Sequence, residues 1–135
     1  MDVSAPAADW SPQLREEFAA NRQNGRVGTR LLAQTDRVRV WESRLGPGER
    51  IAFHRHVLNY AWTAMSAGTS RSHAEDGSVR ERTYRPGDTA YYQYGPGEFR
   101  FHDLENVGTT ELLFAIVESL DSPNPALPLS RQSPV

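Results

Sequence analysis

The stretch GERIAFHRHVLNYAWTAMSAG, residues 48–68, decides the fold of this chain because two sets of side chains alternate along its first part. One set is Ile51, Phe53 and Arg55, and the other is Arg50, Ala52, His54 and His56. An alternation with a period of two predicts a β-strand, on which residues two apart point to the same face. His54 and His56 therefore project into one space and can supply two ligands of one metal ion. The pair also fits two other interpretations: polar groups on a solvated strand face, or buried groups that only form hydrogen bonds.

A second strand with a histidine is predicted in GEFRFHDLENVG, residues 97–108. Its alternation defines two faces: Glu98, Arg100 and His102 on one, and Phe99 and Phe101 on the other. Three histidines on inward-facing strands can converge on a metal as neutral nitrogen donors. The two segments together therefore predict a three-histidine metal site.

Composition excludes several classes of function. A chain of 135 residues is expected to form one domain. Its net charge is -2 and its charged residues are spread along the sequence, so we do not expect nucleic acid or a membrane surface as a partner. The absence of cysteine excludes thiolate chemistry and disulfides. All fifteen basic residues are arginine, so a lysine Schiff base is excluded as well. No apolar run is long enough to span a bilayer and the first residues do not form a secretion signal, so we expect a cytoplasmic protein.

Local signals divide the rest of the chain into short elements. Ser11 and Pro12 predict the start of a helix that runs to about Asn24 and packs on the outside of the domain. Asp76-Gly77 predicts a hairpin between two polar strands. Further strands are expected at 29–34, 37–45, 60–67, 70–73, 78–84, 89–94 and 112–118. We expect a flexible N-terminus over 1–10, a single domain over 11–120, and a proline-rich extended tail over 121–135 that is free or draped over a neighbour.

Many short strands separated by Gly-Pro turns predict an all-β sandwich or barrel, and a jelly roll suits this length. From about residue 37 to residue 118 the chain resembles a small single-domain cupin. The first cupin motif is Gly, five residues, His-x-His, three or four residues, Glu, six residues, Gly. This sequence has Gly48, His54 and His56, and Gly68 at the matching positions, with Ala61 in place of the glutamate.

The second cupin motif is Gly, five residues, Pro-x-Gly, two residues, His, three residues, Asn. Gly87 and Gly95 match it, and Gln93 stands where proline is usual. Strict spacing puts Glu98 at the histidine position, whereas four inserted residues put His102 there, followed after three residues by Asn106. We prefer the second register because it reproduces the whole ending of the motif.

The resemblance implies a cupin-type double-stranded β-helix, that is, a jelly-roll barrel lined by His54, His56 and His102 around one divalent metal ion. Glu98 is the alternative ligand, and it would change the set to two histidines and a carboxylate. Either set suits Fe(II), and Zn, Mn, Ni and Cu remain possible. The resemblance favours an Fe(II) dioxygenase-like oxidoreductase acting on a small oxygenated or carboxylate substrate. The alternatives are a non-redox lyase, isomerase or dehydratase, and a cupin that binds a small ligand without turnover.

Other residues complete the expected site. Glu98 and Tyr60 are candidates for proton transfer, and Arg100 can clamp a substrate carboxylate with two hydrogen bonds. Further candidates for substrate contact are Tyr92, Gln93, Trp62 and Asn59. The fourth histidine, His73, is expected on the solvated surface. Because cupins commonly pair, a homodimer is expected.

Overall fold

The molecule is built from one short helix and nine strands within residues 9–129, the part of the chain that this computed structural model describes. The elements are α1 (Pro12–Ala20), β1 (Arg30–Gln34), β2 (Val38–Leu45), β3 (Arg50–His56), β4 (Tyr60–Ala64), β5 (Gly68–His73), β6 (Val79–Tyr84), β7 (Thr89–Tyr92), β8 (Arg100–Asn106) and β9 (Leu112–Ser119). The predicted strands are all present, with ends that differ by a few residues.

Two antiparallel sheets face each other. One has five strands in the order β1-β2-β9-β4-β7, and the other has four in the order β3-β8-β5-β6. The predicted hairpin at Asp76-Gly77 joins β5 to β6, and Gly77 has a φ of 88°, a left-handed conformation that glycine adopts without strain. This arrangement confirms the all-β, jelly-roll prediction.

Most of the core lies between the sheets. Its buried members come from both layers and from the loop before β1: Val27, Trp41, Leu45, Ile51, Tyr60, Ala64, Tyr84, Tyr94, Leu112, Phe114 and Ile116. A second, smaller cluster lies on the outer face of the four-stranded sheet and consists of Phe18, Phe53 and Phe101. The helix is therefore held to the outside of the barrel by aromatic packing, as the sequence predicted.

The helix begins as predicted but ends earlier. The Ser11 hydroxyl oxygen accepts a hydrogen bond from the Leu14 N–H at 3.1 Å. The helix ends at Ala20 rather than near Asn24, because the backbone of Asn21 leaves the helical conformation, with φ -107° and ψ 19°, and its side-chain amide donates to the Glu17 carbonyl. No helix in the described part of the chain is long and apolar enough to cross a membrane.

The two terminal segments pack on the domain where the structure describes them. Trp10 contacts Phe18 and Phe53 with ring centroids 5.7 Å apart in each case, so the expected flexible N-terminus does not extend to this residue. In the tail, the Asn124 amide donates to the carbonyls of Val57 and Gly95 at 3.1 and 3.0 Å. The Arg39 guanidinium donates to the Leu127 carbonyl at 3.3 Å and Leu129 packs against the core, so the tail lies on its own domain up to residue 129. Residues 1–8 of the predicted flexible N-terminus and residues 130–135 of the predicted extended tail lie outside the described residues.

Candidate metal centre

A β-bulge brings both histidines of β3 to the inner face of the barrel. Ile51 on β3 pairs with Leu104 on β8, and His54 pairs with His102. The two β3 residues are three positions apart in the chain and their partners are two apart, so β3 has one extra residue here. The extra residue reverses the alternation, and Ile51 lines the same cavity as the histidines. The expectation that Ile51 faces away from them with Phe53 is wrong for this reason. Phe53 does face outward and packs under the helix.

The three predicted histidines converge. His54, His56 and His102 offer nitrogen atoms that all lie within 4.8 Å of one another, and each side chain is at least nine-tenths buried. The Nε2 atoms of His56 and His102 are 3.2 Å apart. Two nitrogens bound at about 2.1 Å to one ion, with an angle of about 90 to 110° between the bonds, lie roughly 3.0 to 3.4 Å apart. The observed separation fits that requirement.

The protonation of the cluster also fits a metal. Burial lowers the pKa of His54 to about 4 and holds the pKa values of His56 and His102 well below the usual value, so all three rings are neutral near pH 7. The His54 Nδ1 lies 2.8 Å from the Ala52 carbonyl oxygen, which can only accept, so Nδ1 carries the proton and Nε2 keeps its lone pair. The Nδ1 atoms of His56 and His102 are buried without a hydrogen-bond partner among the described residues. The residues present therefore fit a divalent ion.

A cavity of about 80 Å³ between the sheets contains the cluster on one wall. It continues into an outer space of about 380 Å³ beneath the β5–β6 hairpin. Both spaces share five lining residues: Ser72, Arg80, Tyr92, Arg100 and His102. A small molecule that enters under the hairpin therefore meets one of the histidines directly.

Tyr60 takes the inward position that follows the histidine pair. Its ring stacks on His56 with centroids 4.1 Å apart and an interplanar angle of 8°. Burial raises the pKa of Tyr60 well above its usual value. Ala61, which aligned with the cupin glutamate, is in register with Val117 and Tyr91 on the outer face of the sheet. The first cupin motif allows three or four residues between His-x-His and the glutamate. With three residues, Tyr60 takes the glutamate position, and Tyr60 is the residue that faces inward here.

Three of the five residues predicted to contact substrate line the cavity, and two do not. Arg100, Tyr92 and Trp62 are part of its wall, and the Arg100 guanidinium lies 5.1 Å from the centroid of the Tyr92 ring. Gln93 is exposed and lines neither space. The Asn59 side-chain oxygen accepts a hydrogen bond from the Tyr94 N–H at 2.8 Å, so Asn59 holds a loop rather than facing the cavity.

Glu98 is outside the cavity, contrary to its prediction as an alternative ligand and proton carrier. It is exposed and precedes β8, and its Oε1 accepts a hydrogen bond from the Gly95 N–H at 2.6 Å. The turn at Gly97, whose φ is 79°, ends the regular alternation before Glu98 can share a face with His102. The register that assigns the second-motif histidine to His102 is therefore the one that agrees with the structure.

Residues near α1 fasten the bulge from the outer side. The Glu17 Oε2 accepts from the Phe53 N–H at 2.8 Å, and the Asn24 amide donates to the Phe53 carbonyl at 2.9 Å. The Arg55 N–H donates to the Asn24 carbonyl at 2.7 Å. Both neighbours of His54 in the chain are thus bound by the helix and the loop that follows it. Spacing in the sequence gave no signal of these contacts.

A buried ion pair also escaped the sequence analysis. Asp103 is fully buried, and its Oδ2 accepts from Arg50 at 2.6 Å. Its Oδ1 accepts from the His73 N–H at 2.6 Å, and the His73 Nδ1 lies 3.0 Å from Oδ2. The expectation that His73 is a solvated surface residue is wrong, because Asp103 binds it and Trp10 packs on its ring at 5.2 Å.

Two arginines in the cavity wall were also missed. Arg80 and Arg82 lie on β6, and the alternation in VRERTY, residues 79–84, puts them on the same face as the buried Tyr84, where both exposed side chains line the open edge of the cavity. The Arg82 guanidinium is 4.9 Å from the centroid of the Trp62 ring. The sequence shows that alternation, but only the structure shows that β6 lies at the edge of the cavity, so the two arginines were not predicted as site residues.

Solved structures of similar fold confirm the class of protein. A cupin domain from Bordetella pertussis Tohama I is 25% identical over 66% of this chain and 88% of its own, with a TM-score of 0.58. A protein from Klebsiella pneumoniae with a double-stranded β-helix domain is 23% identical over 84% and 89%, with a TM-score of 0.55. An RmlC-like cupin family protein from Methanocaldococcus jannaschii is 19% identical over 67% and 76%, with a TM-score of 0.53.

The chain therefore has the cupin fold, a double-stranded β-helix, as the resemblance in the sequence implied. Within that fold it carries a cluster of three histidines that can bind a metal ion. No protein-family model matches the sequence, and no curated protein matches it.

Proposed function

We propose that this chain is a metal-dependent enzyme acting on a small molecule, with a divalent ion held by His54, His56 and His102. The observation that carries the proposal is the convergence of three buried, neutral imidazoles on one wall of a cavity large enough for a ligand. Fe(II) is the favoured ion, and Zn, Mn, Ni and Cu suit the same nitrogen donors.

The reaction that we favour is an Fe(II) dioxygenase-like oxidation of a small oxygenated or carboxylate substrate. Three neutral ligands leave the full +2 charge of a bound ion on the site, which then supplies Lewis-acid and oxygen chemistry. The chain itself provides the rest. Arg100 orients an acidic group of the substrate, and Tyr60, Tyr92 and Trp62 form the wall beside the reacting atoms.

A non-redox reaction is the second candidate, because a phenol is stacked directly on the cluster. Tyr60 is held against His56, and the predicted alternative proton carrier, Glu98, lies outside the cavity. A lyase, isomerase or dehydratase of this type uses Tyr60 to deliver a proton to a substrate whose carbonyl is polarised by the site.

Metal content measured by elemental mass spectrometry tests the site. We expect about one divalent ion per chain in the wild type, loss of the ion in His54→Ala and His102→Ala, and retention in His73→Ala, which removes the histidine outside the cluster. Glu98→Gln should also keep its metal. A wild type that binds no Fe(II), Zn(II) or Mn(II) on titration, while its melting curve shows a folded protein, overturns the proposal.

Oxygen consumption then separates the reaction classes. With Fe(II) and a panel of diketones, hydroxy acids and phenols, uptake above the background of His54→Ala supports the oxidation. Turnover that persists without oxygen and with Zn(II) supports the non-redox reaction. A ligand that raises the melting temperature but is recovered unchanged after long incubation identifies a binding module without turnover.

A further inference from the structure

Three arginines line the cavity from two different places: Arg100 is half-buried, whereas Arg80 and Arg82 are exposed and lie at its open edge. Arg100 lies on β8, opposite His56 in the register of β3 and β8. Arg80 and Arg82 lie on β6, which is separated from β8 by β5. Strands in a sheet are about 4.8 Å apart, which separates the β6 backbone from the β8 backbone by about 10 Å. Arg80 is in line with Leu104, so it is also offset from Arg100 by four residues, or about 14 Å, along the strands. The cavity therefore has two separate positively charged groups, which we call stations: Arg100 on β8, and Arg80 with Arg82 on β6.

These charges have little compensation within the protein. In the described part of the chain, no ion pair joins Arg80, Arg82 or Arg100 to a carboxylate. Within residues 9–129, no acidic residue lines the inner cavity. Among the described residues, the outer space contains one acidic residue, Asp76, which interacts with Arg80 through space and whose Oδ1 accepts hydrogen bonds from the Ser78 N–H at 2.9 Å and the Ser78 hydroxyl at 2.6 Å.

Aromatic rings hold the guanidinium groups in place without neutralising them. Arg82 lies over Trp62 at 4.9 Å and Tyr84 at 5.8 Å, and Arg100 lies over Tyr92 at 5.1 Å. Such contacts favour an ordered guanidinium without neutralising its charge, and the Tyr92 and Tyr60 hydroxyls are close enough to Arg100 to hydrogen-bond it as well. Arg82 and Arg100 are thus held in place before any ligand arrives.

We propose that the natural ligand of this cavity is a small dicarboxylate, with one carboxylate on Arg100 beside the histidine cluster and the other on Arg80 and Arg82 at the β6 edge. The proposal rests on the proposed function for the identity of the site and adds the class of substrate. A neutral ligand leaves three like charges facing one cavity, and a monocarboxylate compensates only one station.

Isothermal titration calorimetry with matched probes tests this assignment. The probes are malonate, succinate, glutarate and adipate, the monocarboxylates of the same chain lengths, neutral succinamide and inorganic phosphate, all at one ionic strength of about 0.15 M. We expect at least one dicarboxylate to bind about tenfold or more tightly than its matched monocarboxylate, and succinamide not to bind. Equal affinity of the two series, or tighter binding of phosphate than of every dicarboxylate, overturns the proposal.

Two sets of variants distinguish the stations. Arg100→Gln should weaken mono- and dicarboxylates alike by about tenfold or more, since both occupy the station beside the histidines. The double variant Arg80→Gln, Arg82→Gln should weaken only the dicarboxylate, down to the affinity of the monocarboxylate. Arg85→Gln, which removes an exposed charge three residues beyond Arg82, is the matched control and should bind as the wild type does. An equal loss in the control would show that net charge alone governs binding and would refute the assignment.

The same titrations on metal-loaded and chelator-treated protein separate this proposal from the metal site. A dicarboxylate preference that survives metal removal and disappears in the arginine variants supports the ligand class even if no metal-dependent activity is found. About one metal per chain without any dicarboxylate preference supports the metal site and refutes the ligand class. Binding that needs the metal and is unchanged in Arg100→Gln shows chelation by the ion and also refutes it.

Discussion

Replacing Glu17 with glutamine tests whether the helix fastens the strand that carries His54. The carboxylate makes three hydrogen bonds: Oε1 with Arg50 at 2.6 Å, and Oε2 with Arg50 at 3.0 Å and with the Phe53 N–H at 2.8 Å. A glutamine has one acceptor oxygen, so its amide N–H₂ must face a donor on either Arg50 or Phe53. Losing a hydrogen bond to a charged group and leaving a buried N–H unpaired costs about 2 to 4 kcal/mol together. Part of the Arg50 charge remains compensated by Asp103.

Urea unfolding of Glu17→Gln near neutral pH should therefore show a free energy of unfolding about 2 to 4 kcal/mol below that of the wild type. Glu16→Gln is the matched control, because Glu16 is the exposed neighbour on the same helix, and it should change the value by less than about 0.5 kcal/mol. A Glu17→Gln value within the range of the control would refute the reasoning.

The pH dependence of the same pair of proteins provides a second check. Bonds to Arg50 and the Phe53 N–H outweigh burial, which acts in the opposite direction, and lower the pKa of Glu17 below 4.5. The unfolded state therefore binds more protons than the folded state in that range, and the stabilisation is complete above pH 4.5 and lost as pH falls through the folded pKa. The difference between wild type and Glu17→Gln should be constant near neutrality and should narrow below pH 4.5. A difference that is unchanged in acid would contradict an ionic role.

Three further predictions concern stability and assembly. Burial raises the pKa of Glu118 to about 7 from 4.5, so the free energy of unfolding should fall by about 3 kcal/mol as pH rises through that window. Glu118→Gln keeps an acceptor for Trp41 and should remove this fall when unfolding is measured near pH 5 and near pH 8. A variant with the same pH slope as the wild type would refute the prediction. Phe18→Ala should lower the free energy of unfolding by about 3 to 5 kcal/mol in urea titrations, since Phe18 is fully buried between the helix and the sheet. A decrease of less than about 1 kcal/mol would contradict that packing. Homodimerisation stays a prediction: light scattering should give twice the chain mass of 15.2 kDa at micromolar concentration, and a mass equal to that of one chain would show it to be wrong.

Local sequence patterns predicted most of the fold. Alternation with a period of two located the strands, and glycine-rich turns located their ends, because both depend on the conformation of a few consecutive residues. The Asp76-Gly77 hairpin and the Ser11 cap are in place for the same reason. The end of the helix was predicted too late, since Asn21 leaves the helical conformation and caps the last turn with its side-chain amide, which a hydrophobic pattern does not reveal.

The candidate site was only partly readable. The histidines were found because two of them lie two residues apart on one strand and the third lies on a strand with the same alternation. Glu98 was placed with them by assuming that β8 begins earlier than it does, and a turn at Gly97 breaks that assumption. Whether a residue lies before or after the start of a strand decides its face, and strand ends are the least certain feature of a sequence pattern.

By itself, the sequence determined the class of fold, the strand that bears each histidine and the absence of cysteine and lysine chemistry. Only the tertiary structure decided which side chains share the cavity. The bulge that turns Ile51 inward depends on pairing between β3 and β8. The position of Arg80, Arg82 and Arg100 around one cavity depends on the order of strands in the sheet, and the contact of Asp103 with His73 joins residues 30 apart in the chain. Alternation is a local property of the backbone, whereas convergence is set by pairing and packing between distant segments, which no single segment encodes.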